Sequence, residues 1–242
     1  MIIDKKTFID NFVYPISVIA SNARFECGEV ATSLVATPDN SIILYALYES
    51  KVSETNEVIC LPDLKRFSQL VYNCESTSDG LLNLPISNNK ITYKSKSFKF
   101  DYYLLDSTYI TKVPISIEKL NNLTYDTVFS TSGENILNIL KMSSITSDTD
   151  KVYFYTAPDG VYIDLDDKQR ANITNLSVRI ADAYAGDALL DPSPISLDNL
   201  RLISLNKTDE VIISINHKMK VFSLCIKHSP VTLKYVISGL VK

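Results

Sequence analysis

LPDLKRFSQLVYNC, residues 61–74, is the stretch on which the fold turns. Leu64, Phe67, Leu70 and Val71 recur at helical spacing, and Lys65, Arg66, Gln69 and Asn73 fall largely on the other side. Pro62 suits a first helical turn, where its missing N–H leaves no bond unmade. The spacing predicts an amphipathic helix with one apolar face and one basic, polar face. Around it the period changes to two: VATSLVAT and SIILYALYE come before, with a Pro-Asp-Asn turn between them, and LLNLPIS, KITYKSKS and FKFDYYLLD follow. In ITYKSKSFKF the alternation slips at Ser97-Phe98, which marks a turn or bulge.

Upstream, residues 4–20 place Phe8, Ile9, Phe12, Val13, Ile16 and Ile19 on one helical face, with Asp4 at the N-cap. Pro15 falls inside this pattern and predicts that the helix ends or kinks near Tyr14. Downstream, residues 106–122 (DSTYITKVPISIEKLNN) read as an extended connector passing into a new strand. After it the same order returns. STSGENILNILKMSSI (130–145) is an amphipathic helix on Ile136, Leu137, Ile139 and Leu140, and KVYFYTAPDGVYIDLDD is a hairpin turning at Ala-Pro-Asp-Gly. NITNLSVRIADAYA is a strand region. SPISLDNLRLISLN (193–206) is a helix capped by Ser196, with Leu197, Leu200, Ile203 and Ser204 inward. EVIISIN, MKVFSLCIK and VTLKYVISG close the chain as antiparallel strands.

Helix, strands, helix and strands therefore occur twice. The fold class is α+β, with two similar domains side by side, each with two helices packed on antiparallel sheet. The boundaries read as 1–107, a connector at 108–122, and 123–242.

Composition agrees with strands plus some helices: 14 Tyr, no Trp and only 6 Gly in 242 residues. No apolar run is long enough to span a bilayer, and the charged N-terminus lacks the apolar core of a signal peptide, so a cytosolic location is expected. Cys27, Cys60, Cys74 and Cys225 are scattered without metal-ligand spacing and read as buried or half-buried free thiols. His217 and His228 are the only histidines, so a Ser-His-Asp or Cys-His site would have to use one of them; both read as strand residues. Asp164, Asp166 and Asp167 read as a solvated hairpin flank. No phosphate-binding glycine loop or paired-carboxylate motif appears. Neither catalysis nor a cofactor is expected. The net charge of −4 is unlike that of a protein that coats DNA, unless positive charge is gathered on one surface.

Four local stretches carry a family resemblance: LKYVISGLVK at 233–242, TPDNSIILYAL at 37–47, LPDLKRFSQLV at 61–71 and ISLDNLRLISL at 195–205. With the duplicated order, they resemble the DNA sliding clamps of the proliferating-cell-nuclear-antigen and tailed-phage type, whose closing strand typically reads L-K-Y-Y-L-A-P. Pro15 in the first helix, Gly239 where the family has Pro, and a short connector depart from the cellular pattern and point to a viral or phage clamp.

The resemblance implies a non-enzymatic ring, assembled from three copies in the family manner, that encircles duplex DNA without reading sequence. Its partners would be a DNA polymerase and a clamp-loader ATPase. The DNA-facing residues would be Lys5, Lys6 and Asn11; Lys65, Arg66 and Gln69; Asn138 and Lys141; and Arg201 and Lys207, diluted by Asp10, Asp63 and Asp198. A partner-peptide pocket would be lined by Ile42, Val113, Pro114, Ile115, Met219, Tyr235 and Ile237. Ring closure would pair edge strands at 98–106 and 172–183. Two rival readings are a β-rich viral structural or adhesion protein and a small hydrolase. Four amphipathic helices in matched positions favour the clamp over the first, and the missing His and Gly motifs weigh against the second.

Overall fold

The computed structural model describes residues 1–145, 150–165 and 176–240. The chain forms two compact units, Met1–Ile117 with His228–Leu233, and Glu118–Lys227 with the segment from Lys234 on.

In the first unit, β1 (Ile2–Asp4) leads into the helix α1, built from Lys5–Thr7, Phe8–Val13 and Tyr14–Ile19. The Asp4 carboxylate accepts the Thr7 N–H at 2.7 Å, the N-cap read from the sequence. The helix does not stop at Pro15. Over Phe8–Val13 the backbone widens into a π-type turn, and the Tyr14 N–H reaches the Ile9 carbonyl five residues back. A proline in regular α geometry lacks a donor and presses on the preceding turn, and the widening absorbs that misfit just before the ring.

Strands β2 (Ala23–Cys27), β3 (Ala31–Ala36), β4 (Ile42–Tyr48) and β5 (Glu57–Leu61) lie in the order β4-β3-β2-β5, all antiparallel. Helix α2 (Leu64–Tyr72) starts after Asp63, whose carboxylate accepts the Arg66 N–H at 2.9 Å. Pro62 thus precedes the cap and is not in the first turn. Phe8, Phe12, Phe25 and Tyr48 interlock with ring centroids 5.2–6.3 Å apart. All four are buried, each worth roughly 1.5–3 kcal/mol of transfer free energy. β1 pairs with β6 (Leu81–Asn83), and β7 (Ile86–Ser87), β8 (Lys90–Lys94) and β9 (Lys99–Tyr103) form a small sheet in that order. The slip at Ser97-Phe98 is the turn between β8 and β9, closed by Ser95 N–H to the Phe98 carbonyl at 2.8 Å.

The connector contains a single 3-10 turn at Ser107–Tyr109, capped by Asp106, and then a short helix α3 (Ile117–Asn121). It therefore reaches the next strand through a helical turn as well as extended chain.

The second unit has β10 (Thr127–Ser132), α4 (Gly133–Met142), β11 (Lys151–Ala157), β12 (Gly160–Leu165), β13 (Leu176–Ala181), β14 (Ala185–Gly186), β15 (Ser193–Ser196), α5 (Leu197–Arg201), β16 (Glu210–Asn216), β17 (Val221–His228) and β18 (Val231–Ser238). The strand orders are β14-β10-β16-β17-β18 and β13-β12-β11-β15. The β11–β12 hairpin is as read; Asp166 and Asp167 lie outside the described residues. The helix expected over 193–206 is only five residues long, because Ser193–Ser196 pairs with Lys151–Phe154 as a strand. Its cap is still Ser196, which accepts the Asp198 N–H at 3.2 Å. Phe154 packs between Phe129 and Phe222, with centroids 6.5 and 5.3 Å away. Among the described residues no helix is long and apolar enough to cross a membrane.

Candidate nucleic-acid interface and partner surfaces

In the first unit α1 and α2 run antiparallel. The Leu64 N–H bonds the Ser21 carbonyl at one end. At the other, Lys5 Nζ donates to the Tyr72 and Cys74 carbonyls at 2.9 and 2.8 Å. Phe8, Ile9, Phe12, Val13 and Ile16 face the core from α1, and Leu64, Phe67 and Val71 face it from α2. The other side of the pair carries Lys6, Lys65, Arg66 and Gln69, all exposed, with Asn11 half-buried. Lys5, one of the DNA-facing residues expected from sequence, thus caps the end of α2.

Two tyrosines that sequence reading passed over stand on this polar side, Tyr14 at 57% exposure and Tyr72 at 51%. The Tyr72 hydroxyl donates to the Asp10 carboxylate across the two helices. Partial burial and that carboxylate push the Tyr72 phenol up to about 12. An aromatic on the polar side of an amphipathic pattern was the available signal.

In the second unit α4 buries Ile136 and Ile139, while Leu137 and Leu140 are half-buried. Outward lie exposed Lys141 and half-buried Asn138. On α5 the Arg201 guanidinium pairs with Asp198 at 2.8 Å and reaches Ser143 Oγ at 3.4 Å, so its charge is largely matched. Lys207, beyond α5, is exposed. Lys6, Lys65, Arg66, Lys141 and Lys207 form no ion pair among the described residues.

The residues expected to form a partner pocket divide sharply. Ile42, Tyr235 and Ile237 are fully buried core residues, and the Tyr235 hydroxyl accepts the Ser204 N–H at 3.2 Å. Alternation along β4 turns Ile43 and Tyr45 outward in place of Ile42. Met219 is 58% exposed on the turn after β16, Val113 and Ile115 are half-buried, and Pro114 is exposed. Within the first unit the connector instead frames a groove of about 580 Å³ against the outer face of β2 and β3, where Ile110, Lys112 and Val113 oppose Arg24, Thr32 and Leu34.

β9 and β13 each end their sheet, with one side carrying no strand partner among the described residues. Beside β9, Tyr93, Phe98 and Phe100 form a half-buried aromatic cluster with centroids 5.8–6.2 Å apart. On β13, Leu176 and Val178 are half-buried; positions 172–175 of the expected edge lie outside the described residues.

His217 anchors a turn. Its Nε2 lies 2.6 Å from Thr127 Oγ1, and its backbone N–H donates to the Asp126 carboxylate at 2.7 Å. The four cysteines are free thiols, three of them buried. Among the described residues no three His, Cys, Asp or Glu side chains cluster as metal ligands.

Amphipathic helices on antiparallel sheet in each unit, with the helices' polar sides outward, define the sliding-clamp fold. Solved structures match it over the whole chain. The A. fulgidus PCNA bound to the C-terminal region of FEN-1 is similar at TM-score 0.79 and 14% identity, covering 100% of this chain and 98% of that one. The PCNA of Thermococcus kodakaraensis gives 0.76 and 17%, with 99% of each chain covered. The Proliferating Cellular Nuclear Antigen of Entamoeba histolytica gives 0.70 and 13%, covering 95% and 93%. No protein-family model and no curated protein sequence matches the chain. At these identities the likeness establishes the fold.

Proposed function

We propose that this chain is a DNA sliding clamp, a processivity factor that encircles duplex DNA and tethers a polymerase to it. The observation that carries the reading is the polar side of α1 and α2, where Lys6, Lys65 and Arg66 stand exposed and unpaired on a clamp fold of net charge −4. Such cations attract phosphate at long range without reading bases, and the attraction weakens with salt. The acidic remainder keeps DNA from settling elsewhere on the surface. The chain is built of clamp-type domains at 1–107 and 123–242, joined by the connector 108–122.

Closure follows from β9 pairing with β13 of a second copy, which would cover the Tyr93, Phe98 and Phe100 cluster with Leu176 and Val178. Three copies make the ring, as in the family. Partner peptides from a polymerase and a loader ATPase dock along the connector, with Val113, Pro114 and Ile115 as accessible anchors. The protein works in a cytosol, that of a host cell for a viral or phage clamp. It needs no cofactor and catalyses nothing itself.

The test is topological. Loaded on circular duplex by its cognate loader and ATP, the protein should co-migrate with the DNA through high salt and be released when the circle is linearised. A ring that never becomes linked to circular DNA refutes the reading.

A further inference from the structure

Asp10, Asp63 and Asp198 are three of the carboxylates in or capping the helices that carry the DNA-facing cations, and they are not equivalent. Asp63 caps α2 by accepting the Arg66 N–H at 2.9 Å. Asp198 neutralises Arg201 at 2.8 Å. Asp10 does neither. Lys6 precedes it by four residues, a spacing that commonly supports a helix ion pair, yet no cation lies within ion-pair distance of Asp10 among the described residues. The π-type widening of Phe8–Val13 disturbs that register. Its partner is instead the hydroxyl of Tyr72, reaching across from α2. A neutral donor fixes the carboxylate in place and leaves its negative charge uncancelled.

We propose that Asp10, held between α1 and α2 by Tyr72, is an electrostatic brake on DNA capture that keeps the cationic helix face from gripping phosphate too tightly to slide. This rests on reading that face as the DNA side. Lys6, Lys65 and Arg66 attract the backbone, and Asp10 sets a repulsive point among them. A unit charge about 7 Å from a phosphate in a water-like dielectric changes affinity about threefold. That is enough to shorten each contact without abolishing attraction. Tyr72 is the positioning residue: its hydroxyl holds the carboxylate between the two helices.

The experiment measures binding of the full chain to duplex DNA across a salt series, with oligomeric state and thermal midpoint as controls. Asp10→Asn retains an oxygen that can accept the Tyr72 hydroxyl while removing the charge. It should bind about threefold tighter per chain at low salt, with the gain vanishing at high salt and the controls unchanged. Asp10→Glu should bind as wild type. Asp10→Asn at wild-type affinity, or a gain that persists at high salt, overturns the brake. A parallel Lys65→Glu/Arg66→Glu variant separates the two claims. If it loses DNA affinity while Asp10→Asn changes nothing, only the brake falls; if neither variant changes binding, the DNA-side reading falls with it.

Discussion

Reversing charge at Lys65 and Arg66 probes the DNA-facing side most directly. Both side chains are exposed, and they follow the Asp63 cap at the second and third positions of α2. Glutamates there lie in the first turn, where the helix dipole favours negative charge, so Lys65→Glu/Arg66→Glu should fold at least as well as wild type. Lys6, Lys65, Arg66, Lys141 and Lys207 are the unpaired candidate cations of one chain, and the variant removes two of these five. Each phosphate contact adds about 0.9 to the slope of log affinity against log salt, so the slope should shrink by up to about 1.8 per engaged chain. Over a fourfold rise in salt, the gap between wild type and variant should then close by about tenfold. Fluorescence anisotropy with a labelled duplex reads this, and sedimentation confirms that assembly is intact. An unchanged slope in an intact assembly would show that α2 does not meet phosphate.

Other consequences concern the scaffold. A β-carbon at Gly133 would fall 2.0 Å from the Asn206 carbonyl oxygen, so Gly133→Ala should cost about 2–4 kcal/mol in urea unfolding, and wild-type stability would contradict the close approach. Tyr235 belongs to the core, so Tyr235→Ala should destabilise by about 3–5 kcal/mol and Tyr235→Phe by about 1 kcal/mol; a fully stable Tyr235→Ala that loses only peptide binding would return it to the pocket. Burial, reinforced by Glu57, pushes the Cys27 thiol from 9.0 up to about 12. Its contribution to stability is therefore complete below the unfolded value and is lost as pH rises from there toward the folded value, because the unfolded chain gives up its proton first. Cys27→Ala should flatten the alkaline fall of the urea midpoint, and a variant that tracks wild type would refute this.

Much of this architecture is legible in the chain. Asp4, Asp63 and Ser196 end up capping helices because short polar side chains satisfy the first free N–H groups, a local matter of one turn. Asp4 and Ser196 announce themselves in the sequence, while Asp63 is hidden by the neighbouring Pro62. The slip at Ser97-Phe98 is likewise local, since a period-two pattern cannot change phase without a turn. The side of α2 that carries Lys65, Arg66 and Gln69 is set by helical spacing alone.

What the sequence leaves open depends on partners distant along the chain. Ser193–Ser196 reads as helix until Lys151–Phe154 arrives beside it and claims its backbone hydrogen bonds for a sheet. Pro15 reads as an end or a kink near Tyr14, and packing of Ile16 and Ile19 into the core carries the helix past it through a widened turn. Ile42 and Tyr235 lie on strands whose inward side cannot be told from the outward one until the sheet is covered. Lys5 looks as free as Lys6 until the end of α2 and the turn after it offer two carbonyls, 67 and 69 residues away. The sequence by itself determined most of the elements and the caps at Asp4 and Ser196, because those follow from interactions within a few residues. Only the tertiary structure decided which cations stay unpaired and that Asp10 is held by a tyrosine hydroxyl, because those depend on groups that folding alone brings within hydrogen-bond reach.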